Sequence, residues 1–243
     1  LTDEGRLLYD HVSEAFEALN EGEEKLKRSI ELGVGQLKIG VSSTLCKYML
    51  LPYLKEFIHR NPHISISIEC QSTNETLKLL DDDKIDIGLI GKPASLKTFN
   101  FYYLDNIEDI FVTTKDYLRN LSARGVKKSE ILQNSTLMLL DKGNMTRKYI
   151  DDYLQENQIH VKDSIDISNM DLLIDFAKIG VGVACVIKSI VSKELDDGTL
   201  IEIPLGIPIH KREVGFAYKE SSKLSTSLQT FIKFYESYTP EDF

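Results

Sequence analysis

The stretch Leu37-Lys-Ile-Gly-Val41-Ser42-Ser43-Thr44 decides the fold. Leu37 to Val41 reads as a β-strand, three consecutive hydroxyl residues follow, and a helical pattern begins at once. A strand, a tight turn and a helix start, in that order, form the repeating unit of an open α/β sheet. Such sheets bind ligands outside the carboxyl ends of their strands. The hydroxyls and the first free N–H groups of the helix can hold an anion or a carboxylate there. The same hydroxyls also serve as plain N-caps, so this turn by itself supports both roles.

Downstream, residues 45 to 60 are predicted helical, with Pro52 marking a break or a fresh start. Leu50, Leu51, Leu54, Phe57 and Ile58 are expected on its apolar face, and Asn61-Pro62 stops it. Ile64 to Ile68 alternates strictly and predicts a strand. Ser72-Thr73-Asn-Glu75 caps the next helix, and Ile85 to Ile90 is a buried strand. The β-α-β-α-β order over 37 to 90 implies a parallel sheet with right-handed crossovers. The strand, polar turn and helix pattern recurs twice. Thr136–Leu140 leads through Asp141 to Arg147 into a helix ending near Asn157. Ile165–Ile167 leads through Ser168-Asn169-Met-Asp171 into a helix ending near Lys178. Further strands are expected at 101–104, 109–113, 200–203 and 213–218, and a last amphipathic helix at 225–238.

Upstream, Thr2 can cap a helix whose first turn carries Asp3 and Glu4, suited to its positive end. Leu8, Val12, Ala15, Leu19, Gly22 and Leu26 then fall at spacings of four and three, a narrow coiled-coil seam. Glu17, Glu21, Glu24, Lys27 and Arg28 occupy the opposite face, and Gly33 and Gly35 end the helix. A lone helix with one apolar seam wants a partner.

The 243 residues can bury a sizeable core. A net charge of −9 makes the chain a poor nucleic-acid binder by itself, because phosphate contacts need a basic surface. The 3 cysteines, Cys46, Cys70 and Cys185, are far apart and odd in number. That pattern fits free thiols in a reducing, cytoplasmic compartment. The longest apolar stretch, Ile179 to Ile187, is too short to span a bilayer. No G-x-S-x-G, P-loop or metal-ligand spacing is present. His59 and His63 have Pro62 between them, Asp81-Asp82-Asp83 lacks the EF-hand pattern, and no acid/base or nucleophile set emerges. No enzyme activity, metal or cofactor is expected.

Several short motifs, in order, resemble the LysR-type transcriptional regulators. Leu1-Thr-Asp-Glu-Gly-Arg-Leu-Leu8 is similar to the junction between that family's winged helix-turn-helix and its linker helix. Gly35-Gln-Leu-Lys-Ile-Gly40 resembles the opening of its effector domain. Leu51-Pro52 with Phe57 and Pro62, Lys84-Ile-Asp-Ile-Gly88, and Ile179-Gly-Val-Gly-Val183 match later positions. Asn144-Met-Thr-Arg147 resembles the family's G-S-G-T-R turn, with Asn and Met in place of Gly and Ser.

The resemblance implies an α/β fold of two Rossmann-like subdomains, similar to a type 2 periplasmic binding protein, behind a long linker helix. The expected division is 1–34 for the linker and dimerisation helix, 35–108 with 212–243 for effector subdomain I, and 109–211 for subdomain II. Effector contacts are expected from Ser42, Ser43, Thr44, Thr146, Arg147, Ser168 and Asn169, and dimerisation from Leu8, Val12, Ala15, Leu19 and Leu26. The implied function is effector sensing and dimerisation in a transcription regulator. Its partners would be a small anionic effector, further copies in a homodimer or homotetramer, and DNA through an N-terminal domain missing here. No membrane partner is expected. A free-standing solute-binding protein of a transporter is the alternative; it would share the cleft but have no use for the seam helix.

Overall fold

A computed structural model describes residues 2–31, 35–93, 95, 98–220 and 224–239, with the side chains of residues 10 and 25–31 outside the described set. Helix α1 (Asp3–Glu31) comes first, and the Thr2 hydroxyl accepts the Gly5 N–H at 3.2 Å as its cap. The seam residues Leu8, Val12 and Leu19 are 65%, 44% and 68% exposed, and Ala15 is exposed too. They are joined by exposed Leu7, Tyr9 and Phe16, so the apolar surface is wider than the narrow seam. The Leu26 side chain and Gly33 lie outside the described residues, and Gly35 opens a strand instead of closing the helix.

Strand β1 (Gly35–Val41) runs into α2 (Ser43–Leu45), a π turn (Cys46–Leu50) and α3 (Leu51–Arg60). The π turn shifts the helical phase just ahead of Pro52. Met49, Leu50, Tyr53, Leu54 and Phe57 are therefore buried, while Leu51 and Ile58, expected inside, are 49% and 46% exposed. β2 (Ile64–Cys70), α4 (Thr73–Asp81), β3 (Ile87–Gly91) and β4 (Phe99–Ile107) follow. β2 is an edge strand, so its alternation fades from buried Ile64 to exposed Ile68. β3 starts later than the apolar run because the Asp86 carboxylate accepts the Lys38 N–H at 2.7 Å, replacing a ladder bond.

The second half comprises β5 (Asp109–Thr113), α5 (Lys115–Ala123), α6 (Ile131–Asn134), β6 (Thr136–Leu140) and α7 (Met145–Glu156). It continues with β7 (Asp163–Ile167), α8 (Met170–Lys178), β8 (Val183–Ile187), α9 (Ser192–Asp196) and β9 (Ile201–Glu202). β10 (Arg212–Lys219) and α10 (Thr226–Ser237) return the chain to the first half.

The strands form two five-stranded sheets, ordered β2-β1-β3-β10-β4 and β7-β6-β8-β5-β9. In each, three parallel strands meet one antiparallel strand at the same place: β10 beside β3, and β5 beside β8. Those two strands carry the crossovers between the halves. Alternate residues of the inner strands enter different cores. Met138, Leu140, Ala184 and Val186 join a core that continues into the first sheet, while Leu137, Leu139, Val183 and Cys185 join one confined to the second half. Both faces of these strands are therefore covered, as central strands of an α/β sheet require. An aromatic cluster locks α10 onto the first sheet: Phe231 stands edge-on to Phe57 at 4.9 Å and to Phe216 at 5.2 Å. Among the described residues no helix is long and apolar enough to cross a membrane.

Candidate functional site

A cleft of about 490 Å³ lies where the two halves meet. Three helix starts converge on it. Ser42 ends β1 and caps α2, its Oγ accepting the Leu45 N–H at 3.3 Å. Ser72 follows β2 and caps α4 in the same way through the Glu75 N–H at 3.3 Å. Asn144 follows β6 and caps α7 through the Thr146 N–H at 2.8 Å. These three side chains do serve as caps. Beside them Thr44, Thr73 and Thr146 also line the cleft, and each helix keeps first-turn N–H groups with no intrahelical acceptor. All three helix dipoles favour negative charge at this point.

The cationic wall comes from Lys92, Lys211 and Arg212. Each has a carboxylate partner. Lys92 Nζ lies 2.5 Å from Glu213, Lys211 Nζ 3.0 Å from Glu108, and Arg212 forms a two-pronged pair with Asp109. The Lys211 ammonium holds the Glu108 carboxyl below its ordinary range. Burial pushes the Asp109 carboxyl up, against the pull of Arg212. Arg212 Nη2 also reaches the Thr146 hydroxyl at 3.3 Å, and its guanidinium sits 5.2 Å from the Tyr149 ring centre. Its Nη1 has no hydrogen-bond partner among the described residues. The remaining walls are apolar, with Leu45, Ile107, Leu140, Met145, Met170 and Ile187. Among the described residues no group of three or more His, Cys, Asp or Glu side chains could hold a metal ion.

Of the residues expected to contact an effector, Ser42, Thr44 and Thr146 line this cleft; Ser43, Arg147, Ser168 and Asn169 do not. Ser43 is the first residue of α2, turned about 100° from its neighbour, and it is exposed. Arg147 points inward and is 7% exposed. Its Nε meets Asp151 at 2.8 Å, and its Nη1 meets the Leu140 carbonyl at 2.9 Å and Asp166 at 2.5 Å. It therefore ties α7 to β6 and β7. Ser168 is exposed, and Asn169 caps α8 through the Leu172 N–H at 2.9 Å, so that helix presents Met170 to the cleft instead. The third polar turn is Ser72–Thr73. Sequence reasoning passed over Arg212, Lys92 and Tyr149. The one local signal was the Lys211-Arg212 pair at the head of a strand, and its acidic partner lies 103 positions away.

The LysR substrate binding domain family matches residues 31–239, and the chain belongs to that family. The HTH-type transcriptional regulator YeiE of Escherichia coli K12 is 23% identical over 235 residues, spanning 96% of this chain and 78% of its own. The CcmR regulatory domain of Synechocystis PCC6803, solved in complex with 2-PG, superposes with a TM-score of 0.69 at 19% identity, covering 82% of this chain and 95% of that one. The full-length AphB N100E variant gives 0.71 at 19% identity, covering 98% of this chain and 80% of that one. The chain therefore carries the effector-binding part of a LysR-type transcriptional regulator, not the solute-binding protein of a transporter. Its two subdomains have the periplasmic-binding-protein-like arrangement of LysR regulatory domains.

Proposed function

We propose that the cleft between the sheets takes a small anionic effector, and that Ser42, Thr44, Thr146 and Arg212 are its polar contacts. One observation carries this reading: the helix starts at 42–44, 72–73 and 144–146 face a single cavity into which Asp109 holds Arg212. Because Lys92, Lys211 and Arg212 are each paired already, a ligand with one negative group and an apolar body suits the cleft. Residues 35–108 with 212–243 act as one subdomain and 109–211 as the other, and the effector bridges them. Occupancy then changes the angle between the subdomains. Residues 1–34 pass that change to a second copy of the chain and to the DNA-binding part of the regulator. The chain works in the cytoplasm as a sensor without catalytic activity.

A thermal-shift screen of small carboxylates against the 243-residue chain would supply an effector. Thr44→Val and Thr146→Val should each weaken its binding about tenfold, the effect of roughly one lost hydrogen bond to a charged group. The melting midpoint without effector should barely move. Unchanged affinity in both variants would remove these turns from the binding site.

A further inference from the structure

The three cysteines are far apart in the sequence, but two of them meet in the fold. Cys70, the last residue of β2, pairs across the ladder with Val41, the last residue of β1. Cys46 opens the π turn just beyond β1, and its N–H bonds the Ser42 carbonyl at 2.8 Å, which keeps it within one helical turn of the strand end. The Cys46 and Cys70 thiols are joined there by a side-chain hydrogen bond, and both are free.

The two thiols differ in their surroundings. Cys70 is exposed, whereas Cys46 is half-buried and packs against the core of the first sheet. Burial, and then the neighbouring Cys70, push the Cys46 thiol up to about 11, so it stays protonated at neutral pH and attacks an oxidant poorly. Cys185 is buried among apolar side chains, and burial pushes its thiol well above the ordinary range, so it takes no part. An exposed thiol in contact with a protected one is the arrangement in which oxidation at the surface is captured as a disulfide. The turns that carry the pair also carry Ser42 and Thr44, and Ser72 and Thr73, all of which line the effector cleft.

We infer that Cys46 and Cys70 form a reversible oxidation site for peroxides, whose disulfide ties together two of the turns that line the effector cleft. The deprotonated Cys70 sulfur attacks hydrogen peroxide; an S–O bond forms, the O–O bond breaks, and the released oxygen leaves as water with the Cys70 proton. The Cys46 sulfur then attacks the Cys70 sulfur; the S–S bond forms, the S–O bond breaks, and the hydroxyl leaves as a second water with the Cys46 proton. The two thiols give up two electrons and two protons, and one peroxide takes them. The consequence for sensing rests on the cleft reading above; the disulfide does not. The 243-residue chain, reduced and then treated with excess hydrogen peroxide at neutral pH, tests this. Thiols counted after denaturation should fall from 3 to one, with the Cys46 and Cys70 peptides joined within one chain, and dithiothreitol should restore them all. Backbone amide NMR of the oxidised chain should show shifts at Ser42, Thr44, Ser72 and Thr73. Cys70→Ser, at an exposed position, should keep both of its thiols under the same treatment. Three results would each overturn the inference: three thiols persisting under peroxide, Cys70 bonded to Cys70 of a second chain in place of the internal disulfide, or equal thiol loss in Cys70→Ser. An internal disulfide that leaves the four cleft amides in place would overturn its link to the cleft. Failure of the Thr44→Val and Thr146→Val test removes the cleft reading and leaves the thiol count as it is.

Discussion

Arg212, the first residue of β10, holds Asp109, the first residue of β5, through two hydrogen bonds: Nε to Oδ2 at 2.8 Å and Nη2 to Oδ1 at 2.9 Å. The two strands belong to different sheets, and they are the segments by which the chain crosses between them. The pair thus staples the two crossover strands together beside the cleft. Asp109 is completely buried, while Arg212 keeps 15% of its side chain exposed. Asp109→Asn should cost about 2–3 kcal/mol, at or below the range for a fully buried pair, because cleft water can reach the guanidinium. Urea unfolding measures this. Pairing it with Arg212→Gln should recover part of the loss, since no lone charge is then left buried. A single-variant loss under about 0.5 kcal/mol would mean that the pair adds little to the joining of the crossover strands.

Two glycines on neighbouring strands should respond in opposite ways to a methyl group. At Gly215, where the β10–β4 register shifts, a Cβ would come within 2.1 Å of the Tyr102 carbonyl oxygen. Gly215→Ala must push two backbones apart, and about 1–3 kcal/mol of destabilisation is expected. At Gly91, a cleft-lining residue, a Cβ would meet nothing within 4 Å. Gly91→Ala should leave the melting midpoint within about 1 °C, an effect below roughly 0.5 kcal/mol. It should nevertheless weaken the effector identified by the screen. Equal melting of the two variants would contradict the close β10–β4 approach.

A tie between the halves should fail in acid. Asp171 in the first turn of α8 accepts Lys47 Nζ at 2.7 Å and the Tyr48 hydroxyl at 2.5 Å, both from the π turn. The Lys47 and Tyr48 bonds hold its carboxyl below the ordinary 3.8. A depressed carboxyl adds stability above its unfolded value and loses it as pH falls through the folded one. The Asp171 bond likewise raises the Lys47 ammonium above the ordinary 10.5, so the tie also weakens in strong alkali. Carbon-detected NMR titration should place the Asp171 midpoint below 3.8, returning upward in Lys47→Ala. A midpoint at or above the ordinary value in the parent would show that the bonds do not persist in solution.

Self-association should depend on α1. Leu8, Phe16 and Leu19 are more than 60% exposed in the single chain, at 65%, 62% and 68%. Burying side chains of this size is worth about 1.5–3 kcal/mol each. Sedimentation at low micromolar concentration should show an oligomer for the parent and a smaller species for Phe16→Asp and Leu19→Asp. The same assembly in both variants would assign association to other surfaces.

What could be read in the sequence was local. Val41 to Thr44 announces a strand meeting a helix because residue periodicity and capping act within three or four positions. The bonds of Ser42 and Ser72 to N–H groups three residues on follow that rule. The βαβ order and the motif order were enough for the fold class and the family. Tertiary structure alone decided which turns share a cavity. Asn169 caps α8 as Ser72 caps α4, yet Ser72 lines the cleft and Asn169 does not, leaving Met170 as the only cleft residue of that turn. The helix from 43 to 60 buries Tyr53 and leaves Leu51 exposed because a π turn shifts its phase. Arg147 turns inward to Asp166, while Arg212, without a local signature, meets Asp109 across 103 residues and forms the cationic wall. Helix rotation and strand adjacency are set by packing between distant segments. No window of neighbouring residues contains that information.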